Sequence, residues 1–256
     1  MIKSTINLWP LYKNFLLIII FIFFNSCTSP NNKAQDIIDQ TISEYGGSSY
    51  ENVQIDFDFR DRHYTAIQEN GRFTYSREFQ DSLGQKVVDV LDNNGFSRSI
   101  NGQKVNVDEG WQERYSESIN GVIYFALLPS PLNDPAVIKN YLGEVNVKGE
   151  PYHKIEVTFR EEGGGKEFRD TFIYWIHQEN STMDYFAYDF ETDGGGSRFR
   201  EAKNARREGG IVFQDYYNYK PAVDGVPLAK YDSLLMEGKL EKLSEINLER
   251  VQVRPL

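Results

Sequence analysis

The chain has 256 residues, 28 of them basic and 38 acidic, for a formal charge of −10. That length suits one large domain or two small ones with a full core. The acidic balance argues against a nucleic-acid partner, and one cysteine leaves no disulfide framework.

Residues 1–26 read as a signal peptide. Lys3 and Lys13 precede an unbroken apolar run, Phe15 to Phe24, that is too short to span a bilayer with water-exposed ends. The run leads into Phe24-Asn25-Ser26-Cys27, which resembles the lipobox of bacterial lipoproteins, with Phe24 and Asn25 departing from the usual Leu and small residue. The resemblance makes Cys27 the acylated first residue of the processed chain, with 27–35 as acylated cysteine and short tether, and the absence of Asp after Cys27 favours the outer membrane. Each buried acyl methylene contributes about 0.8 kcal/mol, so several chains hold firmly. An uncleaved N-terminal anchor is the alternative. Removal of the leader takes two lysines and no acid, leaving 26 basic and 38 acidic residues and a charge of −12.

Residues 36–256 are expected to form a single β domain. Ile37, Ile38, Thr41, Ile42 and Tyr45 recur at helical spacing before Gly46-Gly47, predicting an amphipathic helix over 33–45. The period then becomes two: Val53, Ile55, Phe57 and Phe59 alternate with polar residues, which is a strand. Short strand patterns follow over 64–68, 71–79, 86–91, 96–100 and 104–107, and Asn101-Gly102 predicts a type I′ hairpin between the last two. Trp111, Tyr115, Ile119, Val122 and Ala126 predict a helix that Pro129 and Pro131 stop. Asn133-Asp-Pro opens a second short helix, with Gly143 as its cap. Strands are then expected over 144–148, 152–160, 168–177, 182–190, 198–205, 211–220 and 240–253. The class is therefore mainly antiparallel β with a few helices (α+β): about a dozen strands in a strongly curved sheet or half-barrel.

Two stretches, Glu161-Glu-Gly-Gly-Gly-Lys-Glu-Phe-Arg-Asp170 and Thr192-Asp-Gly-Gly-Gly-Ser-Arg-Phe-Arg-Glu201, repeat three glycines followed by Phe-Arg and an acid. A phosphate-cradling loop needs a helix after the glycines, and strand patterns follow here instead, so hairpin turns are expected. Arg198 and Arg200 share one face of their strand, about 7 Å apart. They can pair with acids such as Asp170, Glu201 or Asp215, or form an anion site.

Between these loops the strands are apolar on both faces: Phe172, Tyr174 and Ile176 oppose Ile173 and Trp175, while Phe186, Tyr188 and Phe190 oppose Met183, Tyr185 and Ala187. Helices can cover one face; the other needs a second layer, a barrel interior or a ligand. Candidate ligand-binding residues are Tyr174, Trp175, Tyr185, Phe186, Tyr188, Arg198 and Arg200, with two-sided core burial as the alternative.

Metal and catalytic signals are sparse. His63, His153 and His177 have no metal-ligand spacing, and no nucleophile motif or cofactor motif occurs. His63 follows Arg60-Asp61-Arg62, and a neighbouring carboxylate can orient an imidazole for acid–base work or merely mark a surface turn.

Five segments carry a resemblance: Phe57-Asp-Phe-Arg-Asp-Arg-His-Tyr64, Tyr124-Phe-Ala-Leu-Leu-Pro129 through Leu132-Asn-Asp-Pro-Ala-Val137, Phe172-Ile-Tyr-Trp-Ile-His177, Asp184-Tyr-Phe-Ala-Tyr188 and Gly194-Gly-Gly-Ser-Arg-Phe-Arg-Glu-Ala202. With them the chain resembles a family of Gram-negative outer-membrane lipoproteins of unknown function, which implies no catalytic residue. The element order also resembles the LolA/LppX-like lipoprotein carriers, whose curved half-barrel wraps helices around an apolar cavity. Together these imply an envelope lipoprotein that carries an apolar ligand such as an acyl chain. The rivals are a periplasmic enzyme for a small anionic or carbohydrate substrate, using His63, Asp61, Arg198 and Arg200, and a structural subunit without a ligand.

Overall fold

The computed structural model describes residues 30–162, 169–190 and 195–256. Cys27, the signal peptide and the first glycine triplet, Gly163 to Gly165, lie outside them. Helix α1 (Pro30–Tyr45) buries Ala34, Ile38, Thr41 and Tyr45, one face at three- and four-residue spacing. It stops at Gly46, whose φ of 147° favours glycine and whose added Cβ would lie 3.2 Å from the Gly210 carbonyl oxygen.

Strands β1 (Val53–Phe59), β2 (Arg62–Glu69), β3 (Arg72–Gln80), β4 (Lys86–Asp92), β5 (Gly95–Ile100) and β6 (Gln103–Val105) follow as an antiparallel meander. Asn101 and Gly102 turn the last hairpin with φ of 50° and 80°. Helix α2 (Glu109–Ala126) starts at Asp108, whose carboxylate accepts from Gly110 N at 3.0 Å.

The second half is a second meander: β7 (Val137–Val147), β8 (Glu150–Phe159), β9 (Phe172–His177), β10 (Met183–Phe190), β11 (Gly196–Glu208), β12 (Ile211–Pro221), helix α3 (Tyr231–Met236), β13 (Leu240–Ile246) and β14 (Glu249–Pro255). The seven-stranded sheets run β14-β1-β2-β3-β4-β5-β6 and β13-β12-β11-β10-β9-β8-β7, all neighbours antiparallel. Both curve without closing into a barrel, and register shifts in five pairings supply local bends.

Three expectations change. The second short helix does not form. Asp134 ends a single 3-10 turn, its Oδ1 accepting from Ala136 N at 2.8 Å, and the chain then extends as β7. Pairing with β8 overrides the cap-like Asn133-Asp-Pro signal. The single strand expected over 240–253 is two, because the Leu248 amide turns in to Asp215 Oδ1 at 2.9 Å, and β14 then crosses to pair with β1 in the other sheet. The third helix lies instead at α3.

The main core lies between the sheets and includes Ile38, Phe57, Ile119, Ile123, Tyr174 and Phe213. A second cluster on the outer face of the second sheet packs Trp175 and Phe199 beneath Tyr231 and Leu234 of α3. Each such apolar side chain contributes about 1.5–3 kcal/mol on burial. The two-faced strands are thus covered inside by α1 and α2 and outside by a short helix whose six residues show too little periodicity to read from sequence.

Candidate functional site

Between α2 and the inner face of the second sheet lies a cavity of about 430 Å³. Its parity is set by register: Phe172 of β9 pairs with Tyr188 of β10, which pairs with Arg198 of β11, while Phe186 pairs with Arg200. All five side chains line the cavity. Phe172 and Tyr188 stack at 5.3 Å between centroids, and Phe159 of β8 meets Phe172 edge-on at 5.9 Å. Gly121, Val122 and Phe125 of α2 form the opposite wall. The pair Gly195-Gly196, with φ of 74° and 150°, makes the corner that starts β11.

Four of the seven candidate ligand residues, Phe186, Tyr188, Arg198 and Arg200, come together here. Tyr174 points inward with them but is fully buried in the core behind the cavity. Trp175 and Tyr185 point to the outer face, where each packs on Phe199 at 5.7 Å. Gly121 and Phe125 complete the wall from α2 without a sequence signal, because helical spacing marks a buried stripe without saying which residues between its members face a gap, whereas Phe190 shares the strand parity of Phe186 and Tyr188.

The arginines differ in setting. Arg198 is half-buried, donates to the Ser197 carbonyl at 2.8 Å and lies over the Phe190 ring. Arg200 is only 9 % exposed, and among the described residues its side chain makes one hydrogen bond, from Nη2 to Tyr188 Oη at 2.9 Å. Among the described residues its Nε and Nη1 have no hydrogen-bond partner. The acids expected to neutralise it are used elsewhere: Glu201, on the outer face, holds Lys148 at 2.5 Å and Tyr219, and Asp215 holds Arg206 at 3.1 Å. Asp170 and Glu117 line the cavity as well.

A second, polar cleft of about 330 Å³ lies in the first sheet and holds His63, Asp58, Arg60, Asp61 and Arg250. His63 Nδ1 is 2.7 Å from Asp58 Oδ1, so Asp58 of β1 orients the ring and the exposed Asp61 does not. His63 and Asp61 line this cleft and Arg198 and Arg200 the other, so the four candidate enzyme residues are not brought together. Among the described residues no group of three or more His, Cys, Asp or Glu is placed to hold a metal ion, and no helix is long and apolar enough to cross a membrane.

The model of a family of unknown function, DUF6503, matches residues 12–248. No curated protein matches the sequence. Among solved structures, a LolA superfamily protein from Nitrosomonas europaea aligns with a TM-score of 0.50 at 11% identity, covering 87% of this chain and 94% of its own. The likeness shows the fold. A DUF1329 family protein from Desulfovibrio piger aligns at 0.39 and 9% identity, covering 87% and 92%. The Mycobacterium tuberculosis lipoprotein LppX aligns at 0.28 and 10% identity, covering 64% and 91%.

Proposed function

The chain belongs to the DUF6503 family of unknown function, and we propose that it is a membrane-tethered envelope lipoprotein that binds or carries an apolar ligand, such as an acyl chain, between α2 and the curved second sheet. The observation that carries the proposal is the cavity: about 430 Å³ walled by Phe125, Phe159, Phe172, Phe186 and Tyr188. That volume lies within the 300–1,000 Å³ usual for small-ligand sites, and mostly aromatic walls with a few polar groups are the usual lining. An aromatic wall left open to water loses the transfer free energy that an apolar occupant restores.

The tether completes the reading. Acylation of Cys27 after removal of residues 1–26 would hold the β domain near the membrane that supplies such ligands, and the residues between Cys27 and α1 set its reach.

The test has two parts. Mass spectrometry of the protein purified from its native envelope should find a modified Cys27 as the first residue and, in the organic extract, a lipid in stoichiometric amount. An unmodified Cys27 within an intact leader overturns the anchor. An extract without lipid, together with failure to bind any long-chain amphiphile added afterwards, overturns the cavity reading.

A further inference from the structure

We infer that Arg200 is the receptor for an acidic headgroup, so that the cavity takes an anionic single-chain amphiphile and not a neutral one. The inference rests on the apolar-ligand reading above and adds the charge of the ligand to it.

The argument begins with what this protein does with its other buried arginine. Arg77 is 2 % exposed and meets Asp89, 0 % exposed, through both Nε and Nη2, with Ser118 Oγ taking Nη1 at 2.9 Å. All three nitrogens are used and the guanidinium meets a carboxylate. Arg200 has comparable burial and, among the described residues, one hydrogen bond to a neutral phenol and two nitrogens without hydrogen-bond partners. A guanidinium does not escape this by losing its proton, because its intrinsic basicity is too high. Its uncompensated burial costs free energy in the empty protein. Arg200 nevertheless lines the cavity beside Arg198, Glu117 and Asp170, and a small side-chain movement would bring its two buried nitrogens to a partner from outside.

Its surroundings select the kind of anion. The guanidinium carbon lies 5.6–5.9 Å from the ring centroids of Tyr188, Phe125 and Phe186, so the charge sits within an aromatic enclosure. A small hydrated anion would have to shed its water against those rings. An acid at the end of an alkyl chain brings apolar surface for the rings together with the charge for Arg200. A carboxylate and a phosphate monoester share this chemistry.

The full-length protein in phosphatidylcholine nanodiscs is titrated with oleic acid, oleyl alcohol and inorganic phosphate, subtracting empty nanodiscs. Oleate should bind about tenfold to a hundredfold more tightly than oleyl alcohol, as expected for a charge-assisted hydrogen bond. Arg200→Gln should bring oleate to the affinity of the alcohol without changing the alcohol, and Arg200→Lys should keep most of the preference. The empty Arg200→Gln protein should melt no lower than the parent, since an unsatisfied charge has been removed. Equal binding of oleate and alcohol with Arg200 present overturns the headgroup inference and leaves the apolar cavity standing; failure of both to bind overturns the cavity reading itself. Inorganic phosphate binding as tightly as oleate, or marked destabilisation of the empty Arg200→Gln protein, also overturns the inference.

Discussion

Arg77 and Asp89 form a buried ion pair, Nη2 to Oδ2 at 2.6 Å, that couples neighbouring strands β3 and β4 to α2 through Ser118. Arg98 of β5 adds a second donor to the same carboxylate at 2.6 Å. One carboxylate is therefore shared by two guanidinium groups, and Arg77 carries that contact to the middle of the helix that roofs the cavity. Asp89→Ala leaves Arg77 charged and buried with only Ser118, and should destabilise the protein by about 3–5 kcal/mol in urea denaturation. Serine at position 118 replaced by Ala should cost less, about 1–3 kcal/mol, since one donor is orphaned and the charge stays paired.

Gly121 faces the cavity from the middle of α2, and a Cβ built there meets nothing within 4 Å. Glycine within a helix costs roughly 0.5–1 kcal/mol relative to alanine, so Gly121→Ala should stabilise by about that amount. Gly121→Trp should fill the space meant for the ligand. The expected result is loss of oleate binding with near-parental stability; unchanged oleate affinity in a folded Gly121→Trp protein would place the ligand elsewhere.

Much of this architecture is legible in local pattern. The alternation of Val53, Ile55, Phe57 and Phe59 specifies β1, and Asn101-Gly102 specifies the β5–β6 hairpin, because each signal depends on neighbours in the chain. The parity that puts Arg198, Arg200, Phe186 and Tyr188 on one face is legible for the same reason. What is not legible depends on distant partners. The first half of β7, up to Leu142, is read as helix until β8 pairs with it, and the break before β14 depends on Asp215, 33 positions away from Leu248. Parity already turns Glu201 away from Arg200, but that Asp215 is held by Arg206 is a contact no spacing rule reveals.

Tyr45 at the end of α1 ties that helix to the second sheet. Its hydroxyl donates to Gln214 Oε1 at 2.9 Å and accepts from Met183 N at 3.0 Å, while Gln214 Nε2 reaches the Met183 carbonyl at 2.8 Å. Burial holds the phenol well above its ordinary ionisation range. Tyr45→Phe removes both bonds and leaves a buried amide N–H and a buried side-chain oxygen short of partners, for a loss of about 1–3 kcal/mol. Hydrogen exchange at the Met183 amide should quicken in the variant.

His153 of β8 should make stability depend on pH. Burial lowers its basicity first, and the Lys33 ammonium lowers it further, against a smaller opposing pull from Glu144; the remaining close neighbour, Tyr141, places its hydroxyl 3.2 Å from Nδ1. The folded protein therefore binds the proton less readily than the unfolded chain, whose histidine titrates at about 6.5. Above about pH 7.5 both forms are neutral and the residue contributes no slope. As the pH falls through about 6.5 the unfolded state takes up the proton first, so stability drops, and the drop ends once the folded state is protonated as well. Urea denaturation at intervals from pH 8 to 5 should show this loss in the parent and a shallower dependence in His153→Gln. Identical profiles for the two proteins would mean that the imidazole binds its proton equally in both states.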